Sequence, residues 1–419
     1  GTGQSGGLPY NAALPPLVIV PPLTGSKLIA DISAAKLEDP LCGLPFPTEL
    51  WPVSPAHLAS GLLDCWQQEM SLGLDVAASR EAGTEVASEP PGVHVHTTDY
   101  GDIDKSQAPE TWKSVVSQME LLGYRKNRNM FAVPFDWRHG PAYWHRVSWP
   151  KLKLAVEGYV LEHGGRPAIF LSLSMGGPYF AAFLLHADGV DAEWKQRHVA
   201  GFVTMSGPFG GTISALGALL WGTPFPAKAD GDKKGFVNAA LKEVVQGFGS
   251  VAWLLPKPSD RGAPPRDLVQ LPPPWGGNIT DQDLPQLLRR RSQTLAELYD
   301  LAKKFPTLAH PGVRVFCIHG MDIRTPRLLE YVNSSRLVRP LTPTEKAKQA
   351  LETASDMLGK REDGAAKAIK GARGKLEELI GGVAALAAGQ DNFDGPIPAA
   401  PRGPPEQSVV GDRQWIEAV

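Results

Sequence analysis

No apolar run in this sequence reaches the ~18 residues that mark a membrane-spanning helix. Neither sign of charge dominates: 42 Lys and Arg stand against 44 Asp and Glu, for a net charge of -2. That balance removes the electrostatic reason to expect nucleic acid as a partner. Cysteine is scarce, with three in 419 residues (Cys42, Cys65 and Cys317). No His, Cys and Asp cluster has ligand spacing, so neither a metal nor a cofactor is expected. The opening residues, Gly1-Thr2-Gly3-Gln4-Ser5, show neither an initiator Met nor a signal-peptide pattern, as in a processed form or a fragment. Histidine is absent after His319. What remains is an ordinary globular composition, 42% hydrophobic and 21% charged, long enough for one large core with insertions. The 39 prolines imply long irregular loops.

The most informative stretch runs from Ala168 to Gly177, Ala-Ile-Phe-Leu-Ser-Leu-Ser-Met-Gly-Gly, and continues through Pro178 into the apolar segment Tyr179–Leu185. It reads as a buried strand, a tight turn and an apolar helix. A serine at the apex of such a turn holds its hydroxyl out of the sheet. Gly176 and Gly177 allow close approach of strand and helix. Ser174 is therefore the candidate nucleophile; the alternative is a serine in an ordinary surface turn. The usual motif is Gly-x-Ser-x-Gly, and Ser172 stands at the first Gly. Upstream, Leu17-Val-Ile-Val20 reads as a core strand stopped by Pro21-Pro22. The loop after such a strand can give one backbone N–H to an oxyanion, and the residue after the nucleophile can give the other. Leu23 and Met175 are the candidates, against the plainer reading of a strand-to-helix turn.

Cys42 and Cys65 enclose a proline-rich segment crowded with Leu44, Phe46, Leu50, Trp51, Leu58 and Leu62. This suits either a disulfide-closed loop or two buried thiols. A Trp-bearing loop serves as a lid or lipid-contact surface, or else packs on the core. Asn278-Ile-Thr and Asn333-Ser-Ser are glycosylation sequons, and with the cysteine pair they favour a lumenal compartment. Thr111–Leu122 and Leu152–His163 have helical apolar spacing. Asn129–Phe135, Gly201–Ser206 and Val313–His319 read as further strands, giving an α/β fold with a parallel sheet. Thr212–Pro311 shows no clear strand and one helical part, Leu284–Lys304. Thr344–Gly389 is rich in Lys, Ala, Glu and Gly, a solvent-exposed helix or a disordered insertion. His94 and His96 alternate as strand-exposed residues do, His139 follows an Asp-Trp-Arg triplet and is a candidate for the pocket's surroundings, and His186 ends the nucleophile helix, where a cation suits the dipole; for each the structural reading stands ahead of a catalytic one.

These motifs, taken together and in order, resemble the lecithin–cholesterol acyltransferase family. The likeness is carried by Val18-Ile-Val-Pro-Pro-Leu-Thr-Gly-Ser-Lys-Leu28, Asp64-Cys-Trp66, Val133-Pro-Phe-Asp-Trp-Arg138, the Ser174 stretch, Met205-Ser-Gly-Pro-Phe-Gly-Gly-Thr212, Val251-Ala-Trp-Leu-Leu-Pro256, Asn278-Ile-Thr-x-x-Asp283 and Gly320–Arg327. The resemblance implies an α/β-hydrolase fold, mainly parallel, with a helical cap and a disulfide-closed lid loop. It makes Ser174 the nucleophile, gives the oxyanion hole to Leu23 and Met175, pairs Cys42 with Cys65 and puts Trp51 near lipid. The expected organisation is a disordered N-terminus (1–14), a hydrolase core (15–211) with the lid loop 41–70 inserted, a cap (212–310), continued core (311–335), a helical or disordered insertion (336–395) and a tail of truncated core (396–419). Pro22 stands where the family has Gly, and its fixed φ bears on how the Leu23 amide is aimed.

On this fold the chain order is Ser, then acid, then His. Gly411-Asp412 is the nearest match to the family's acid motif, so Asp412 ranks above Asp322. No residue matches the His, and a downstream partner for Cys317 is missing too, which together suggest an absent C-terminal segment. The implied activity is lipid O-acyl transfer or phospholipase action, with a phospholipid donor, a lipid alcohol or water as acceptor, and peripheral contact with a membrane or lipid surface. A catalytically incomplete lipid-binding member and a soluble ester hydrolase are the competing readings. The implied location is the secretory lumen, a lysosome or vacuole, or the exterior.

Overall fold

The computed structural model describes residues 9–33, 42, 48–51, 63–106, 112–221, 242–258, 264–270, 277–320 and 329–330. Most of the lid loop, the second sequon, Asp322 and Asp412 fall outside the described residues. In chain order the strands are β1 (Leu17–Val20), β2 (Leu28–Ile32), β3 (Thr48–Trp51), β4 (Gly73–Leu74), β5 (Ala87–Ser88), β6 (Val93–His96) and β7 (Met130–Ala132). They continue with β8 (Ala168–Leu173), β9 (Val199–Met205), β10 (Asp267–Gln270), β11 (Ile279–Thr280), β12 (Val315–Ile318) and β13 (Leu329–Glu330).

β1 is four apolar residues, all buried, and the two prolines after it offer no N–H to prolong the ladder. It lies inside a five-stranded sheet of order β12-β9-β8-β1-β7. Every pairing in that sheet is parallel, with Val20 beside Ser172 and Leu173 beside Met205. All five carboxyl ends therefore face one edge. The chain passes from β1 to β7 on one side and then to β8 on the other. The crevice outside the ends of β1 and β8 is thus a topological switch point, where open α/β sheets place their ligands.

The helix Gly176–His186 leaves β8 and is apolar until His186; Gly176 to Leu184 are all buried, as a helix without a polar face requires. Rings hold it. Phe135 stacks on Tyr179 at 3.8 Å, Phe170 on Phe180 at 4.0 Å, and Trp144 meets Tyr179 edge-on at 5.0 Å. Each such pair contributes about 0.5–1.5 kcal/mol beyond burial alone. At the other end of the chain Asn11 donates its N–H to the Gly123 carbonyl (3.1 Å).

A second sheet, β3-β2-β6, is antiparallel, and its register sets Leu28 opposite Trp51. β6 buries Val93 and Val95 and turns His94 and His96 outward, as the alternation predicts. The stretch 212–310, which shows no clear strand in sequence, contains β10 and β11, which join β13 in a third sheet. These strands are too short for a periodic signal. Leu284–Lys304 is not one helix but two, Leu284–Arg291 and Gln293–Ala302. Ser292 parts them, because its extended backbone (φ -158°) lets its Oγ accept the Leu295 N–H (3.3 Å) and cap the second helix.

Candidate active site

Ser174 is the first residue past β8 and has φ +50°, a left-handed conformation that few non-glycine residues adopt. Its N–H donates to the Met205 carbonyl (2.8 Å) and its carbonyl accepts from Gly177 (2.9 Å), so the turn is tied to β9 and closed on itself. A Cβ on Gly176 would lie 2.5 Å from the Val20 carbonyl oxygen and 2.6 Å from that of Pro21. A Cβ on Gly177 would lie 2.5 Å from Thr204 Oγ1. Gly176 thus brings the serine turn hard against the end of β1, and Gly177 brings it against β9. Met175 is fully buried at the start of the helix, where backbone N–H groups lack intrahelical acceptors and the dipole favours negative charge.

The loop that meets this turn is itself a tight turn. The Gly25 N–H donates to the Pro22 carbonyl (3.0 Å), and Thr24 has φ +64°. A positive φ at the third position of such a turn defines type II, with Leu23 at the second position. A Cβ on Gly25 would come within 2.4 Å of Pro22 Cδ. Ser26 is fully buried. Its Oγ accepts the Phe135 N–H (3.1 Å) and its carbonyl accepts Trp137 Nε1 (3.0 Å). Trp51 Nε1 donates to the Thr24 carbonyl (2.6 Å). The two indoles meet edge to face, with centroids 5.5 Å apart. The loop is therefore gripped at Thr24 and Ser26 by two tryptophans distant in sequence.

Trp137 is fixed in turn by a buried charge network. Asp136 receives Arg138 Nε (3.0 Å) and a terminal guanidinium nitrogen (2.7 Å), and the same nitrogen reaches Glu89 (2.8 Å). Arg138 is wholly buried. Burial opposes the Asp136 charge, but Arg138 and His139 outweigh it and hold the carboxyl below its usual range. His139 Nδ1 lies 2.7 Å from Glu85, whose other oxygen accepts the Gly140 N–H (2.8 Å). The His139 ring stacks on Tyr143 at 3.6 Å, and the Tyr143 hydroxyl is pushed up to about 12, mainly by burial. His139 thus serves this network. Other histidines have partners away from Ser174: His163 bonds the Tyr159 and Arg128 carbonyls, His186 that of Pro306 and His198 that of Trp194. His319, just past β12, is exposed.

The Cys42–Cys65 bond is formed, closing a separation of 23 residues. Next to it, Trp66 Nε1 donates to the Leu50 carbonyl (2.9 Å), which fixes β3 and with it Trp51. The turn after β9, beside the serine, forms one wall of a cleft of about 540 Å³ bounded by Gly210, Thr212, Ile213, Pro256, Arg266 and Leu268. Lys257, which follows Pro256, is brought down to about 8 by burial and donates to the Trp253 carbonyl. Among the described residues no group of three or more His, Cys, Asp or Glu is placed to hold a metal ion. No described helix is long and apolar enough to cross a membrane.

The parallel sheet, the strand–turn–helix at Ser174 and the facing loop after β1 define an α/β-hydrolase fold. The family model described as lecithin:cholesterol acyltransferase matches residues 46–263, more than half of the chain, and the chain belongs to that family. The lysosomal phospholipase A and acyltransferase of Bos taurus is 26% identical over 341 residues, covering 76% of this chain and 75% of that protein. The phosphatidylcholine-sterol acyltransferase of Mus musculus is 25% identical over 336 residues, covering 75% and 69%. The enzyme of the same name from Homo sapiens is 26% identical over 334 residues, with the same coverage.

Proposed function

We propose that this chain is a serine-dependent phospholipid acyltransferase or phospholipase. The observation that carries the reading is Ser174 at φ +50°, on a turn that Gly176 brings against Val20 and Pro21 and that Gly177 brings against Thr204. In the first half-reaction Ser174 Oγ bonds to the acyl carbon of a glycerophospholipid. The ester C–O bond breaks, and the serine proton passes through a base to the departing glycerol oxygen. The N–H groups of Leu23 and Met175 receive the charge on the tetrahedral intermediate. In the second half the oxygen of a lipid alcohol or water bonds to the acyl carbon, the bond from that carbon to Ser174 Oγ breaks, and the acceptor's proton passes through the base to Oγ. The base is a histidine oriented by a carboxylate, for which Asp412 is the candidate on sequence grounds. The cleft after β9 is the candidate path for lipid, and exclusion of water there decides between transfer and hydrolysis. The Cys42–Cys65 bond and the exposed Asn278 of the first sequon support a lumenal or extracellular location and a glycosylated chain.

The test is release of lysophospholipid, and formation of acylated alcohol, from phosphatidylcholine vesicles containing a sterol or diacylglycerol. Ser174→Ala is expected to abolish both products while still sedimenting with the vesicles. The second reading, a lipid-binding member without turnover, draws on the outside partners of the core histidines. Sedimentation of the unaltered chain without deacylation supports it. Hydrolysis of short soluble esters with no vesicle preference supports a soluble hydrolase instead.

A further inference from the structure

We propose that Trp51 is a positioning residue that holds the oxyanion loop in shape through the Thr24 carbonyl, an inference that rests on the reading of Leu23 as an oxyanion donor. Thr24 is β-branched, yet it sits at φ +64°, the third position of a type II turn, where glycine is the usual occupant. A strained backbone of this kind persists only where its surroundings over-determine it. Three restraints converge here. Gly25 closes the turn on Pro22, Ser26 is held by Phe135 and Trp137, and the Trp51 indole N–H takes the Thr24 carbonyl itself at 2.6 Å. Without the third, Thr24 is free to relax toward negative φ, which turns over the Leu23–Thr24 peptide next to the proposed donor.

Trp51 is well placed for this work. It is half-buried, its ring lies edge-on to Trp137, its strand is in register with β2 at Leu28, and the preceding carbonyl is fixed by Trp66 beside the disulfide. A Trp51 that acted by touching lipid alone would need no bond to Thr24. A side chain that only filled space would not depend on the conformation at residue 24. The positioning role predicts such a dependence, because glycine occupies φ +64° without strain.

The test is a double-mutant cycle of Trp51→Phe and Thr24→Gly in the full chain, read by the rate at which a long-chain alkyl fluorophosphonate captures Ser174. In that reaction the Oγ–P bond forms, fluoride leaves and the serine proton passes to the base. W51F is expected to lower the maximal capture rate about ten- to a hundredfold, with the half-saturating probe concentration unchanged within about twofold. In the T24G background the same change is expected to cost less than about threefold. Trp51→Tyr, which keeps a donor at the ring edge, is expected to retain more activity than W51F and serves if the Phe variant does not fold. An equal cost in both backgrounds, or a loss confined to probe affinity, overturns the proposal and leaves Trp51 as a packing or lipid-contact residue. Amide exchange at Gly25, whose N–H closes the turn, is measured on the same four proteins. It is expected to accelerate in W51F but not when T24G is also present. A wholly unreactive Ser174 overturns the enzymatic reading, and the exchange cycle then decides the role of Trp51 by itself.

Discussion

Replacing Gly176 with Ala inserts one methyl group between the serine turn and the end of β1. The new Cβ would start 2.5 Å from the Val20 carbonyl oxygen, and ordinary contact begins at 3.4 Å, so the two must part by about 0.9 Å. Neither side yields easily. The obstacle is backbone at the centre of a parallel sheet, paired on both flanks to β7 and β8. Overpacking of this kind costs about 1–3 kcal/mol of stability. A displacement near 1 Å between a nucleophile and the groups that serve it costs about a hundredfold in rate. Gly176→Ala is therefore expected to lower the urea midpoint at unchanged slope and to slow lysophospholipid release from phosphatidylcholine about a hundredfold. Gly158→Ala is the control. It lies within the helix Ser148–Glu162 with nothing within 4 Å of its missing Cβ, and it is expected to stabilise by about 0.5–1 kcal/mol. Wild-type stability and rate in Gly176→Ala would refute the claim that serine turn and loop are in backbone contact.

Two further outcomes are expected. The Asp136 carboxyl is held below its ordinary value in the folded chain, so its contribution to stability is fully present above the usual carboxylate range and is lost as pH falls through its folded value. The urea midpoint should fall on acidification below about pH 4, and Asp136→Asn should flatten that part of the profile while destabilising the chain at pH 7. Cys65→Ser opens a link across 23 residues and is expected to cost about 3 kcal/mol, measured by denaturation under non-reducing conditions.

The strand–turn–helix at Ser174 was legible because its apolar run is unbroken and its glycines are adjacent, both local signals. β1 was legible for the same reason. The Asp-Trp-Arg triplet was legible only as a likeness. That Trp137 bonds Ser26, and that Arg138 is buried between Asp136 and Glu89, depends on partners 111 and 49 residues away, which no periodicity records. His139 was read as structural rather than catalytic, and it is; its partner Glu85 lies in a segment with no signal of its own. Trp51 was singled out as a lipid contact from the family likeness, while its bond to Thr24 depends on the pairing of β2 with β3, and so on the fold itself. A Ser capping signal at Ser292 was present in the sequence and would have divided Leu284–Lys304 correctly.

In the proposed reaction both oxyanion donors are backbone amides, and this bears on how such a site drifts over time. Leu23 and Met175 lend the proposed chemistry no side-chain group, so an apolar exchange that keeps their packing on the core leaves it standing. The positions that cannot move freely are the small ones around them: Gly25 against the Pro22 ring, Ser26 beneath Trp137, Gly176 on the Val20 carbonyl and Gly177 on Thr204. In the proposed reading the oxyanion half of the site is recorded in the shape of two turns rather than in side chains. A chain 26% identical over 341 residues to a lysosomal phospholipase A and acyltransferase can, on this reading, keep the mould of the reaction while most of its residues change.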